Sequence, residues 1–412
     1  MPKKLNWVES LVAENQHVET PESWMWWSLL CCISASAGNN YYLPTLKGDL
    51  IYKPNIYVML LGESGLGKGY PVNLAKRLVQ KTNVTRVISG RSSIQAIVKE
   101  LATTKTIEGA PMITDSRGFI VNGELSTAII QDPDSLTILT DLYDGHDKPE
   151  WTNLLKGDGA EKLKYPYITA LFGSSPAHFY DSIPQVNIEG GYIGRNLIIY
   201  EEVRARNVDL LDEKDDKQLD DKFEQYIVPK YCPHLEKIGK HKGRLIPNDD
   251  ARLVFNKFRR QWREKQTYDK TGFLNRVPDH ILKVGMCLSL AEDELTGEIS
   301  AAHMEEAIDR ITKLVYSSRR TTEGRGPDPL AAPTKMILDF LIAADNQELP
   351  KRVLLSRGYG TVNTFSLDQI IENLLELGWI QRNKINGNQD WLIRLAGEPK
   401  ENYVKYIESR KK

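Results

Sequence analysis

An excess of one charge, paired cysteines and long apolar runs are all missing from this chain of 412 residues. Its 54 Lys and Arg stand against 55 Asp and Glu, a formal net charge of -1, so no global basic field pulls it onto nucleic acid. That speaks against a passive coat on DNA, but not against basic groups gathered in a pore on assembly. Cys31, Cys32, Cys232 and Cys287 form no C-x-x-C pair and no Cys/His cluster at zinc spacing, and Cys232-Pro233-His234 reads as incidental. No apolar stretch approaches the ~20 residues of a bilayer span, and the N-terminus lacks the charged-then-apolar pattern of a signal peptide. The expectation is a cytoplasmic protein with free thiols and no membrane partner.

What is present is ordinary globular composition, 41% hydrophobic and 26% charged, enough for an α/β core with a smaller appended module. Residues 1–50 read as an N-terminal helical segment packed on the core. Thr20-Pro21-Glu22 is read as a helix start with Thr as cap, and Trp24, Trp26, Trp27, Leu29, Leu30 and Ile33 as a packing surface rather than a base-stacking one. Residues 51–207 alternate strands and helices. Strands are expected at 56–61, 84–89, 118–121, 167–172 and 196–200, with helices at 71–80 and 92–101, the latter capped by Ser92 or Ser93. Such alternation implies a parallel sheet. Residues 208–320 read as a charged linker followed by a helical lid with stretches at 251–262, 280–291 and 302–315. After the turn-rich 321–329, residues 330–396 show three helices and two strands around Asn386-Gly387, a hairpin signal, and so a winged helix. A tail, 397–412, follows.

The apolar run Ile56–Leu61 suits a strand buried on both faces, and it ends in Gly62-Glu63-Ser64-Gly65-Leu66-Gly67-Lys68. This is G-x-x-x-x-G-K, in which backbone N–H groups close around phosphates and the lysine reaches the terminal ones. The expected ligands are ATP and Mg2+. The residue after the lysine, usually a magnesium-holding Ser or Thr, is Gly69. Phe119-Ile120-Val121-Asn122-Gly123-Glu124 reads as a neighbouring strand delivering Glu124 to the loop, to hold metal or orient water. The usual Asp before it is Gly123, so metal binding would be water-mediated or hydrolysis weak; Asp115 and Asp141 are poorer substitutes.

The ordered set of Thr20-Pro21-Glu22, the glycine loop, Glu124, Leu142-Tyr143-Asp144-Gly145, Trp151, Leu171-Phe172-Gly173-Ser174-Ser175-Pro176 and Gly190-Gly191-Tyr192-Ile193-Gly194-Arg195 resembles phage and prophage P-loop ATPases. Those in turn resemble minichromosome-maintenance-like AAA+ helicases. The resemblance spans about residues 15–315. It implies an AAA+-like fold, assembly into a ring such as a hexamer, and replication partners in a bacterial host cell. It further implies a polar sensor at Ser174 or Ser175, an arginine finger at Arg195 and a second-sensor arginine at Arg276.

In a winged helix the third helix enters the major groove. Here it carries Asp368, Glu372 and Glu376, which phosphates repel, leaving Lys351, Arg352, Arg357, Asn363, Ser366, Gln369, Arg382 and Lys384 for DNA contact. The module therefore reads as a weak DNA binder or a protein-docking domain. Three functions fit the sequence: a DNA motor, an ATP-switched loader or initiator without unwinding, and a nucleotide-binding scaffold with a degenerate magnesium site.

Overall fold

The apolar run after Asn55 forms a strand whose five residues are all buried, as a strand covered on both faces requires. The computed structural model describes residues 5–45, 51–90, 92–102, 115–125, 134–145, 148–154, 160–182, 191–208, 222–264, 269, 271–322, 330–384 and 390–397. In chain order the first elements are α1 (Trp7–Glu14), α2 (Glu22–Ala37), β1 (Tyr41–Pro44), β2 (Ile51–Tyr52), β3 (Tyr57–Leu61), α3 (Gly69–Thr82), β4 (Arg86–Ser89), α4 (Ile94–Ala102) and β5 (Arg117–Asn122). Then come α5 (Ser135–Tyr143), β6 (Glu150–Leu154), β7 (Ala160–Lys164), β8 (Tyr167–Ser174), α6 (Pro176–Ser182) and β9 (Asn196–Tyr200).

Five of these strands make one sheet, in the order β4-β5-β8-β3-β9, with every pairing parallel. The chain leaves β3 towards β8, β5 and β4, and returns to its other side as β9. The carboxyl end of β3 is thus a point where the connections diverge, the place where open α/β sheets take ligands. The strand carrying Glu124 was expected beside β3. Instead β8 lies between them, because β8 pairs with β3 and β5 at once.

Alternate residues of each strand feed two cores. Val58, Leu60, Phe119, Val121, Leu171, Leu197 and Ile199 pack with α1, α2 and α3, while Tyr57, Met59, Leu61, Ile120, Ala170, Phe172 and Ile198 pack with α4 and α5. At ~25 cal/mol per Å2 of apolar surface, burial on both faces makes this sheet a large contributor to the stability of its unit. Trp24 and Trp26 lie in the first core at 0% and 1% exposure, which settles their packing role. Thr20 does not cap α2: Pro21 holds that position without a side-chain bond, and the Thr20 hydroxyl is used elsewhere. β6 and β7 form an antiparallel hairpin outside the main sheet, inserted between α5 and β8.

The same compact unit, Met1–Thr321, continues into α7 (Val228–Lys240), the short strands β10 (Gly243–Arg244) and β11 (Ile246–Pro247), α8 (Asp249–Glu264), α9 (Phe273–Leu290), β12 (Glu298–Ile299) and α10 (Ala301–Thr322). Leu235, Ile281, Val284, Leu288 and Ile311 join the core under α2, so these helices are packed directly onto the first layer. Helix α7 was not expected from the sequence, because Pro233 lies inside it.

The second unit, Thr322–Lys412, contains α11 (Ala331–Ile342), β13 (Glu348–Pro350), α12 (Lys351–Arg357), α13 (Thr364–Glu376), β14 (Ile380–Lys384) and β15 (Trp391–Leu395). Its three strands form an antiparallel sheet in the order β13-β15-β14 over a core of Ile337, Leu341, Leu354, Ile370, Leu374 and Ile393. Asn363 caps α13 in a reciprocal pair with Ser366, satisfying two otherwise orphaned amides. Asn386-Gly387 lies outside the described residues. Among the described residues, no helix is long and apolar enough to cross a membrane.

Candidate functional site

Gly62 to Lys68 connects the carboxyl end of β3 to the first turn of α3, and its shape depends on its glycines. Gly65 and Gly67 have φ of 88° and 86°, a region costly for side-chained residues. At Gly62 a Cβ would lie 2.5 Å from the Glu201 carbonyl oxygen and 2.7 Å from the Trp24 ring. Trp24, whose indole N–H donates to the Ile199 carbonyl at 3.0 Å, is thus the floor of the loop. Glu63, Ser64, Gly65, Gly67 and Gly69 are exposed, and Leu66 turns half-buried onto the core. No side chain caps α3; in its first turn the Tyr70 N–H donates to the Gly67 carbonyl at 3.2 Å and Pro71 has no N–H, so the Gly69 end of the helix and the helix dipole supply the positive potential there.

The Lys68 ammonium folds back on the loop, donating to the carbonyls of Gly62 at 2.6 Å and Glu63 at 2.8 Å, and lies 5.7 Å from the Trp24 ring centre. Partial burial pulls its pKa down, while the charges of Glu63 and Glu124 oppose that shift. Glu124 is therefore within electrostatic reach of the lysine, although its strand is once removed from β3. It is exposed, and its placement is set by its neighbours. The Leu125 N–H donates to the Gly173 carbonyl at 2.6 Å, and the Gly123 carbonyl presses on Gly173, where a Cβ would come within 2.2 Å of that oxygen.

Ser174 and Ser175 now separate. Ser175 is a helix cap, its hydroxyl accepting from the His178 N–H at 3.2 Å. Ser174, 1% exposed, ends β8 beside the loop and its carbonyl accepts the Gly62 N–H at 3.3 Å.

The two arginines lie towards the amino ends of the strands, and Arg195 is separated from the loop by the length of β3, roughly 13 Å at ~3.3 Å per strand residue. Arg195 precedes Asn196, which pairs with Tyr57 at the start of β3. It is 9% exposed, bonded to Asp144 through Nε at 3.0 Å and through Nη2, and to the Gly191 carbonyl at 2.9 Å. Arg276, in the first turn of α9, is half-buried near Tyr143 and has no ion-pair partner among the described residues. Neither arginine reaches the loop of its own chain. Asp115 is at that same far end, gripped by Arg117 at 2.6 Å, and Asp141 is on α5, whose last residue, Tyr143, packs on Tyr57 there.

Sequence reasoning missed the groups that hold the loop from outside. The Thr20 hydroxyl donates to the Gly67 carbonyl at 3.1 Å, and Arg204 donates to the Gly65 carbonyl at 3.1 Å while paired with Glu19 at 2.5 Å. Arg204 follows β9 at the carboxyl end of the sheet, a position that a strand-end search would have flagged; Thr20 was read as a helix cap, and nothing local marks its contact with the loop.

As a metal site the loop has few donors. Gly69 and Gly123 offer no side chain, and among the described residues no three His, Cys, Asp or Glu gather around a metal. One nearby carboxylate fits a magnesium ion carried in on phosphates, since Mg2+ keeps several waters and needs only one or two carboxylates.

In the second unit most of the candidate DNA contacts are internally paired. Lys351 pairs with Asp368, Arg382 with Glu372, and Arg352 with Asp390 at 3.5 Å, while Lys384 sits 5.5 Å from the Trp391 ring. Arg357 and Gln369 are exposed. No protein-family model and no curated protein matches the chain, so geometry and chemistry carry its functional reading.

Proposed function

We propose that the chain is a P-loop ATPase of AAA+-like build that takes MgATP at Gly62–Lys68 and works on DNA as a ring-forming motor, with the second unit as a winged helix. The observation that carries this reading is the glycine loop, with positive φ at Gly65 and Gly67, set between a buried central strand and an uncapped helix at the point where the sheet connections diverge. Loop amides and Lys68 would bind the phosphates, and Ser174 and Glu124 stand at adjacent strand ends to orient water.

In a ring, the far end would meet the neighbour's nucleotide. Arg276, partly exposed and without an ion-pair partner among the described residues, suits that contact better than Arg195, which is committed to Asp144. The internal pairing of Lys351, Arg352 and Arg382 disfavours a loader that grips DNA through the second unit. Gly69 and Gly123 support the scaffold alternative, in which nucleotide binds without turnover.

The test combines ATP titration, phosphate release and forked-DNA unwinding for the native chain, Lys68→Ala and Arg276→Ala. Tight ATP binding with unwinding lost in both variants supports the motor. Binding without hydrolysis under any DNA condition leaves the scaffold, and absence of any ATP or ADP binding refutes the site.

A further inference from the structure

A strongly basic helix face stands apart from the nucleotide loop. Between Lys240 and Glu264 the chain carries eight Lys or Arg and three Asp or Glu, a local excess of five positive charges in a protein of net charge -1. Helix α8 holds five of these cations, and its hydrophobic side is spoken for: Val254, Phe255, Phe258 and Trp262 pack on the core, and the Trp262 N–H donates to the Leu274 carbonyl at 3.0 Å. At ~100° per residue, Arg252, Arg259 and Arg263 fall within about 40° of one line, with Arg260 about 80° round from it and Lys257 further round, outside the packed side.

Arg252 pairs with Asp249 at 3.2 Å, both exposed. Lys257, Arg259, Arg260 and Arg263 have no ion-pair partner among the described residues. Four like charges on one helix repel one another, and among the described residues no ion pair offsets that cost, so an external polyanion would.

We propose that this face of α8 binds the phosphate backbone of nucleic acid. Arg252 to Arg263 spans about 16 Å at ~1.5 Å per residue, which covers roughly five phosphates at ~3.4 Å per nucleotide. A linear row of guanidiniums without an accompanying exposed aromatic row matches backbone contact rather than base reading. The face extends the DNA reading above to a named surface, but it needs neither nucleotide nor the glycine loop.

The experiment measures DNA binding by fluorescence anisotropy without nucleotide, from about 50 to about 300 mM salt, for the native chain, the triple Arg259→Gln/Arg260→Gln/Arg263→Gln and the triple Arg→Lys at the same positions. Each phosphate contact contributes about 0.7 to 0.9 to the slope of log affinity against log salt. The Gln variant is expected to lose about 2 to 3 from that slope and at least tenfold in affinity at low salt, while the Lys variant keeps both. ATP hydrolysis without DNA stays at the native level in the Gln variant, so a failure here is distinct from failure of the ATPase reading. An unchanged slope and affinity overturns the proposal. So does a Gln variant that binds DNA normally yet loses self-association by light scattering, or loses only binding to anionic vesicles, since the face then serves a second copy or a membrane.

Discussion

Gly69→Ser puts a hydroxyl where the glycine loop lacks one, and the structure says it should be accepted. Gly69 opens α3 outside the positive-φ region, and a Cβ there meets nothing within 4 Å. Packing thus gives no reason for glycine, and the change adds up to ~0.5 kcal/mol of helix propensity. If MgATP binds as proposed, the serine oxygen replaces one water in the metal shell. A contact to a charged partner contributes about 1.5 to 3 kcal/mol, so roughly tenfold to a hundredfold in apparent magnesium affinity is expected. Phosphate release at saturating ATP, titrated against free Mg2+, reads this directly, with Gly69→Ala as the control that gains the helix propensity without the ligand. If the serine and alanine variants share the native half-saturation point while both remain folded, the metal is not beside residue 69 and the phosphate placement is wrong.

Three further outcomes follow from contacts already described. Gly62→Ala must displace the Glu201 carbonyl or the Trp24 ring; overpacking of this kind costs about 1 to 3 kcal/mol, so a lower Tm and at least tenfold weaker ATP binding are expected, and native values for both would refute the tight-floor reading. Gly173→Ala forces the Gly123 carbonyl away and Glu124 with it, so single-turnover hydrolysis should slow while ADP affinity stays near native; an unchanged rate removes Glu124 from the chemistry. His280 is buried with Nε2 against the Gly194 carbonyl at 2.9 Å, and burial lowers its pKa from 6.5 to about 3. The unfolded chain therefore binds a proton that the folded chain refuses between those values, and stability falls as pH drops through that window, by at most about 1.4 kcal/mol per pH unit. Denaturant midpoints from pH 7 to pH 4 should fall less steeply for His280→Gln than for the native chain, and equal slopes would contradict this.

Sequence pattern captured what depends on local periodicity and missed what depends on distant contact. The run Ile56–Leu61 could be recognised as a doubly covered strand because both its faces are apolar, and β9 was expected at the residues where it forms. Ser93 was one of two caps considered for α4, and its hydroxyl accepts the Ala96 N–H at 3.3 Å. Helix α7 was hidden because Pro233 argues against a helix, although tertiary packing of Tyr231, Leu235 and Ile238 overrides that penalty. The order of strands carries no local signature, so the insertion of β8 between β3 and β5 had to come from the fold. Within the site, Gly62 to Lys68 was legible as a string, whereas the Thr20 contact joins residues 47 positions apart, and the fate of Arg195 depended on Asp144 being across the fold.

The loop is tethered at both shoulders, by Thr20 to the start of α2 and by Arg204 to the segment leaving β9. Any ligand that draws Gly65 and Gly67 inward must therefore tug on two stretches of chain that lie far apart in sequence. One leads into the tryptophan-rich helix that packs on the sheet, the other into the segment leaving β9, so a ligand seated at this seven-residue turn would load contacts well outside it.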